Sequence, residues 1–432
     1  MKGTQLFAVT GSPVLHSKSP LMFNRLFKLK GRDAVYFRIA SGSASEAVTL
    51  FKKLNLKGLN VTAPHKREII PLLDILDPAA KKIGAVNTVV DENGLLKGYN
   101  TDHTGVTASL SDHGFDTAGM KTIVAGAGGA GRAAAYGLVT SGADVTVTDI
   151  SVEMAAKTAS DFKCCYIPFS DLRKYVENSE LVVHAVDSVH KAIDPEWIGR
   201  GHVIYDVNYK DSLFSGKAGK KGFTLITGLD MLLNQAVPAF RLFLGEEPVK
   251  EEMWSALTCR ETKNKKNIIT LTGFMGAGKT SAGVALSKYL GYEHIDTDFI
   301  IEKEAGCSIP EIFSNRGEPA FRKAETEVLE RVAKTQNVVI SCGGGAVLSE
   351  RNREILEKTT TIWLYSSPET SVSRSKGENR PLLQTDNPLE RAFGLMEERK
   401  AFYASSSDLM VNTEEKCTEE VAGIIAGEIG AI

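Results

Sequence analysis

Residues 268–291 read IITLTGFMGAGKTSAGVALSKYLG. A short apolar run leads into Gly273-Phe-Met-Gly276-Ala277-Gly278-Lys279-Thr280, and a stretch of helix formers follows. G-x-x-x-x-G-K-[ST] between a strand and a helix is the pattern of a phosphate-binding loop. With no side chain in the way, backbone N–H groups at the helix start can close around phosphate oxygens, Lys279 neutralises the β and γ charges, and the Thr280 hydroxyl suits Mg2+. ATP with Mg2+ is the ligand pair this predicts. A strand that turns into a covering helix is also the unit from which parallel sheets are built, so the expected class is α/β.

Immediately upstream, Cys259 to Asn267 is polar and charged, and residues 259–266 read as a linker. Further upstream, Lys121 to Val139 is a second strand, glycine turn and helix, with Gly126-Ala-Gly128-Gly129-Ala130-Gly131 as the turn and Asp144 to Ile150 as the next strand. G-x-G-x-x-G in that setting is the dinucleotide fingerprint. Asp149 stands 18 residues beyond Gly131, near the separation at which an acid accepts hydrogen bonds from the ribose hydroxyls of NAD and repels the 2'-phosphate of NADP. Glu180 to Val186, His202 to Asp206 and Phe223 to Thr227 are further strand candidates, and the amphipathic Leu229 to Phe243 is expected to return to the N-terminal part. The predicted organisation is an N-terminal α/β substrate domain (1–105 with 228–258), a Rossmann-like dinucleotide domain (106–227), the linker, and a parallel α/β domain of the P-loop NMP-kinase kind (267–432).

At about 150 residues per domain, 432 residues suggest roughly three units, which agrees with this division. The chain has 51 basic and 53 acidic residues, so no global field draws it to nucleic acid or an anionic membrane, and small molecules are the expected partners; a homo-oligomer stays open. The basic run 263–266 reads as a solvated connection. The six cysteines form no CxxC and no zinc-like cluster, which predicts reduced thiols. No charge-free stretch reaches the roughly 18 residues of a membrane span, and the N-terminus enters a strand-like LFAVTGSP without a signal h-region, so the expected compartment is the cytoplasm.

After the phosphate loop come Asp296-Thr-Asp298, Glu318-Pro-Ala-Phe-Arg322, Gly343-Gly344-Gly345, Arg380-Pro-Leu-Leu and Arg399-Lys-Ala-Phe-Tyr403. Their order and spacing resemble shikimate kinase over essentially all of residues 267–432. The resemblance implies that Asp296 holds the metal with Thr280, and that Asp298 meets the reacting hydroxyl as base or orienter. It also implies that Arg322 and Arg399 clamp the substrate carboxylate beside the glycine run, that Arg380 closes over the phosphates, and that Arg374 stacks on adenine. Two guanidinium groups suit a carboxylate, and phosphoryl transfer needs positioning and charge neutralisation more than covalent chemistry.

At the other end, Gly11-Ser-Pro-Val-Leu-His-Ser17-Lys-Ser19-Pro20 gathers hydroxyls, Gly and Pro in a turn after the first strand. Gly58-Leu-Asn60-Val-Thr62-Ala-Pro-His-Lys66, Gly84-Ala-Val-Asn87-Thr, Gly98-Tyr-Asn-Thr-Asp102 and Gly228-Leu-Asp-Met-Leu-Leu-Asn-Gln235 follow. Together these resemble shikimate dehydrogenase over nearly the whole of residues 1–245. The resemblance implies that Ser17 and Ser19 bind the shikimate carboxylate, that Asn60, Thr62, Asn87, Tyr209 and Gln235 hold the ring, that Lys66 and Asp102 are the catalytic pair, and that Gly228 faces the cofactor. An ammonium beside a carbonyl oxygen can stabilise the charge that grows there on reduction and hand over a proton. His65 is not required by the family pattern.

The cofactor side departs from that family. Its NADP-using members carry an Asn-Arg-Thr-like turn where this chain has Asp149-Ile-Ser, which favours NAD against the family's more common choice. The family's Asn-Ala-Thr-x-x-Gly-Met loop is His184-Ala-Val186-Asp-Ser-Val here, and the segment after the active-site Tyr reads Tyr209-Lys-Asp-Ser-Leu-Phe. The expectation is a bifunctional enzyme that reduces 3-dehydroshikimate and phosphorylates the product. Two alternatives stand beside it: a dehydrogenase-like half that only binds shikimate, and a quinate-using one.

Overall fold

The structure is a computed structural model that describes residues 3–186, 192–208, 212–259, 267–375 and 385–430. In chain order the strands are β1 (Gln5–Gly11), β2 (Ala34–Ala40), β3 (Gly58–Val61), β4 (Ile75–Leu76), β5 (Thr88–Glu92), β6 (Leu95–Tyr99), β7 (Lys121–Ala125), β8 (Asp144–Thr148), β9 (Cys165–Tyr166), β10 (Leu181–His184), β11 (Val203–Asp206), β12 (Thr224–Thr227), β13 (Ile268–Thr272), β14 (Glu293–Asp296), β15 (Val338–Ser341), β16 (Thr360–Tyr365) and β17 (Leu409–Asn412). Helices follow most of them, as the alternation of short apolar runs with longer amphipathic stretches predicts.

The chain folds as two compact units, Met1–Ala63 with Cys259–Ile432, and Pro64–Thr258. The expected organisation kept residues 1–105 together; in this division residues 1–63 share a unit with residues 259–432. Strand pairing joins the two parts of the first unit. Within the first unit the sheet runs β14-β15-β13-β16-β17-β2-β1-β3, and the parallel β17–β2 pair joins Met410 to Ile39 and Val411 to Ala40. An unpaired edge strand is a template for another strand, and here two edges cover one another. Across the seam the buried rings of Phe37 and Trp363 lie 5.8 Å apart, and Trp363 stacks on Tyr403 at 5.7 Å. Lys53–Glu414 at 2.6 Å and Lys416–Glu46 at 2.5 Å tie its polar rim. Burial works against the Glu414 carboxylate, yet hydrogen bonds from Lys53, Ser367 and Thr370 hold it down at about 2.

In the second unit the parallel order β12-β11-β10-β7-β8-β9 has helices on both faces. Neighbours along one strand serve opposite cores: Val124 joins Val106, Leu138 and Val183, whereas Ile123 joins Leu172, Val182 and Ile204. The order reverses between β7 and β10, the place where such sheets open a crevice for a ligand. The helix Gly228–Leu244, capped by Thr227 and Asp230, packs on the helix Asp102–Asp112, with Asn234 donating to Ser109 Oγ and Asp112 Oδ2.

Candidate active sites

The phosphate loop follows β13, which pairs in parallel with β15 on one side and β16 on the other. Gly276 takes φ of 73°, and a Cβ there would meet the Ser371 carbonyl at 2.6 Å, so the loop passes against the helix Pro368–Arg374 with no room for a side chain. Gly273 lies against the Leu364 carbonyl in the same way, and Ala277 closes the turn on the Phe274 carbonyl. Gly278 is the N-cap of the helix Lys279–Leu290. Lys279 Nζ donates to the Gly273 and Phe274 carbonyls at 3.0 Å each, and Thr280 Oγ1 donates to Asp296 Oδ2 at 2.7 Å. Asp296 is also the N-cap of the next helix, so its second oxygen accepts from the N–H groups of Asp298 and Phe299. A hydroxyl and one carboxylate beside a phosphate loop form the sparse protein shell that suits Mg2+, which keeps waters and phosphate oxygens as its other ligands.

Beside the loop a cavity of about 180 Å3 is lined by Met275, Asp298, Phe313, Arg322, the 343–345 glycines and Arg399, among others. A side chain at Gly343 would strike Asp298 Oδ1 and Glu325 Oε1, both at 2.8 Å, and one at Gly345 would strike the Arg322 guanidinium at 2.4 Å. Arg322 donates to Glu325 Oε2 at 2.9 Å and to Glu318 at 3.0 Å. Arg399 is buried on the same helix as Tyr403, whose hydroxyl donates to the Gly344 carbonyl. Glu325 escaped the sequence reading, although its place three residues after Arg322 on one helix is a pairing spacing. Burial pushes its carboxyl up to about 7 against the pull of Arg322, with the Asp298 charge adding to the rise. Arg374 is held by Thr413, through the side chain at 3.1 Å and the carbonyl at 2.8 Å. Arg380 lies outside the described residues.

In the same unit, Ser17 and Ser19 have their hydroxyls 3.3 Å apart at the start of the helix Ser19–Leu29. The Tyr36 hydroxyl donates to Asn60 Oδ1 at 2.6 Å, and its ring stacks on Phe23. Burial raises the Tyr36 phenol well above its ordinary value, against a hydrogen bond with Ser19. Thr62 follows β3, and its N–H donates to the Thr10 carbonyl at 2.9 Å.

The second unit brings Lys66, Asn87, Asp102 and Gln235 together. Lys66 Nζ donates to Asp102 Oδ2 at 2.6 Å, and Asn87 Nδ2 donates to Asp102 Oδ1 at 2.8 Å. Thr101 links Asn87 to Gln235: its N–H donates to Asn87 Oδ1 at 2.8 Å and its hydroxyl to Gln235 Oε1 at 3.3 Å. The sequence reading gave Thr101 no role although it adjoins Asp102. The Asp102 side chain is 5% exposed and that of Lys66 20%, so the ammonium reaches the surface while its partner does not. His65 is buried with Nδ1 3.2 Å from Glu68.

Lys66 also lies against the dinucleotide loop: a Cβ on Gly129 would sit 3.8 Å from its Cδ. The loop glycines divide by function. A side chain at Gly131 would collide with the Gly126 carbonyl at 1.9 Å and one at Gly126 with the Ala185 carbonyl at 2.5 Å, whereas one at Gly128 would meet nothing within 4 Å. Protein packing therefore demands the first two, and Gly128 leaves the open face where a pyrophosphate would lie. Ala130 continues the helix Gly129–Thr140. Asp149 accepts from Ala127 N at 2.7 Å and Ser151 N at 2.9 Å, so its charge is fixed on the glycine turn. Gly228 lies tight against the Val207 carbonyl, and Tyr209 lies outside the described residues.

The remodelled strand end forms a buried polar set. His184 Nδ1 lies 3.1 Å from Asp206 Oδ1, and Ser212 Oγ donates to Asp206 Oδ2 at 2.6 Å. Burial opposes ionisation of Asp206, but the bonds from His184, Ser212 and the Asn208 backbone hold its carboxyl below the usual range. Asn208 in turn donates to the Val186 carbonyl at 2.9 Å. No helix among the described residues is long and apolar enough to cross a membrane.

Comparison with known proteins finds matches along both parts of the chain. The shikimate dehydrogenase substrate binding domain matches residues 9–89, the shikimate / quinate 5-dehydrogenase model 109–206, the shikimate 5'-dehydrogenase C-terminal domain 228–258, and shikimate kinase 275–429. The chain is 39% identical over 263 residues to a shikimate dehydrogenase of Moorella thermoacetica, covering 56% of this chain and 89% of that protein. The crystal structure of the Aquifex aeolicus shikimate dehydrogenase superposes with a TM-score of 0.56 at 37% identity, covering 59% of this chain and 98% of that one. The Thermus thermophilus enzyme, crystallised with NADP(H) and shikimate, gives 0.54 at 32% identity, with 59% and 98% covered. The chain thus belongs to the shikimate dehydrogenase family and carries a shikimate kinase domain fused behind it, which makes it a bifunctional enzyme of the shikimate pathway.

Proposed function

We propose that the dehydrogenase reduces 3-dehydroshikimate to shikimate and that the kinase phosphorylates that product on the hydroxyl just formed, giving shikimate 3-phosphate. The observation that carries the first step is the Lys66–Asp102 pair at 2.6 Å with Lys66 against the dinucleotide loop. A bound nicotinamide cofactor supplies hydride. As charge grows on the substrate oxygen, Lys66 Nζ stabilises it and delivers a proton, and Asp102 orients Lys66 and accepts a ring hydroxyl. Asn87 and Gln235, with Asn60, Thr62 and Tyr209, bind the ring, and Ser17 and Ser19 its carboxylate. In the kinase, ATP with Mg2+ supplies the phosphoryl group. Thr280 and Asp296 would hold the metal, Asp298 orients the attacking hydroxyl, Arg322 and Arg399 bind the carboxylate, Arg374 stacks on adenine, and Arg380 closes over the phosphates. Glu325 positions Arg322.

NAD is the proposed preferred cofactor. Asp149 fixes a negative charge at the turn, and the exposed Ile150 stands where an arginine would meet a 2'-phosphate. The names of the relatives point to NADP instead, and kcat/KM with each cofactor decides. A strong NADPH preference would sink the proposal. The module boundaries are proposed to follow the sequence, 1–105 with 228–258, 106–227 and 267–432, as units of ancestry rather than of packing. Small-molecule partners fit the charge balance, and the cytoplasm is the proposed compartment.

The test supplies 3-dehydroshikimate, NADH or NADPH, and ATP-Mg2+, and looks for shikimate and its 3-phosphate. Phosphorylation without reduction by either cofactor would make the N-terminal half a shikimate-binding module. Quinate oxidation at a rate comparable with shikimate would widen the substrate range.

A further inference from the structure

The last helix of the kinase domain, Thr418–Gly430, reaches the turn that precedes Ser17. Glu428 is 3% exposed, and one of its oxygens, Oε2, accepts from both Val14 N and Leu15 N at 2.8 Å. Its other oxygen, Oε1, has no hydrogen-bond partner among the described residues. Burying a carboxylate for two backbone donors is expensive, and an apolar side chain would fill the same space at less cost. The two N–H groups are buried as well, so removing their acceptor would leave both unsatisfied.

Those groups are coupled to the serines. The Val14 carbonyl accepts from Ser17 N at 2.9 Å, so Glu428 holds one side of the peptide unit whose other side holds Ser17. The Ser17 carbonyl accepts from Arg38 Nε at 2.9 Å and Nη2 at 2.6 Å, while Arg38 Nη1 donates to the Asp408 carbonyl at 3.1 Å. Ser17 is therefore fixed at its N–H and at its carbonyl through groups anchored in the kinase domain.

We infer that Glu428 of the kinase domain is a positioning residue for the dehydrogenase, holding the Val14–Ser17 turn in the shape that presents Ser17 and Ser19 to the substrate carboxylate. The inference rests on the reading of Ser17 and Ser19 as carboxylate ligands. It makes the affinity of one active site depend on a side chain of the other domain that touches neither substrate.

The experiment is shikimate oxidation by the full-length chain without ATP, with kinase turnover as the control for folding. Glu428→Ala should raise KM for shikimate about tenfold, the loss expected for two buried donors left unpaired, with kcat changed less than about threefold. Glu428→Gln, which keeps a carbonyl acceptor, should recover most of the difference. Lys53→Ala, which cuts a seam ion pair without touching the turn, should leave KM unchanged. If Glu428→Ala does not fold, Glu428→Leu fills the volume without an acceptor and must raise KM in the same way. An unchanged KM in a folded Glu428→Ala or Glu428→Leu, alongside a raised KM in Ser17→Ala, overturns the inference alone. An unchanged KM in Ser17→Ala overturns the reading of the serines and the inference with it.

Discussion

The phosphate loop at 273–280 and the dinucleotide loop at 126–131 both join a strand to a helix through glycines, yet their surroundings are organised differently. Around the phosphate loop the working residues are local: Lys279 bonds to its own turn and Thr280 meets Asp296, sixteen positions on. Around the dinucleotide loop the working residues come from afar. Lys66 meets Asp102 across 36 positions, and Asn87 reaches Gln235 across 148. A phosphate is held by backbone geometry that one motif can encode, whereas a sugar-like ring needs side chains that converge from several elements.

The sharpest way to break this comparison is to silence each site singly. Lys279→Ala should cut phosphorylation by about a thousandfold or more and leave hydride transfer intact. Lys66→Ala should cut hydride transfer by about 100- to 10,000-fold and leave phosphorylation intact. A folded variant that lost both activities would show that the sites are not independent. Within the dinucleotide loop, Gly131→Ala should cost about 3 kcal/mol by overpacking and lower Tm, because its Cβ has no room. Gly128→Ala should keep Tm and raise cofactor KM about tenfold, because there the space belongs to the ligand. Equal effects at the two glycines would erase the distinction between packing and binding positions.

Two smaller effects refine the picture. Asp149→Asn with Ile150→Arg should move the NADPH/NADH ratio of kcat/KM about tenfold toward NADPH, as steady-state assays would show. The pH dependence of stability should carry opposite signatures from two carboxyls. Glu325 keeps its proton in the folded protein up to about 7, while its ordinary value is 4.5. Its contribution is therefore full below 4.5 and falls as pH rises toward 7. Denaturant melts of Glu325→Gln should lack that slope. Glu414, held at about 2, contributes above its ordinary 4.5 and loses that contribution as pH falls toward 2. If Glu325→Gln and the unaltered chain showed the same slope between pH 5 and 7.5, the buried-carboxyl account of the kinase cavity would fail.

Many of the candidate residues could be picked out because they sit inside short motifs. Gly276, Gly278, Lys279, Thr280, Asp296 and Asp298 are close in sequence and close in space, and the strand candidates at 121, 144, 180, 202 and 223 lie within a few residues of the observed strands. Glu325 and Thr101 were missed although each stands beside a residue that was read, because a buried partner looks like any other helical or turn residue until burial is known. Asp149 was read as a ribose ligand. Its role in tying Ala127 and Ser151 needed the fold of the turn.

By itself the sequence determined the α/β class and the two glycine-rich strand-to-helix loops, because covalent spacing and backbone conformation act over a few residues. Only the tertiary structure decided that residues 1–63 share one compact unit with the kinase. The seam rests on a two-residue strand pair, an aromatic contact and a glutamate 414 positions from its partner. Edge pairing and buried hydrogen bonds leave no periodicity along the chain, since each half of such a contact is satisfied only by the other.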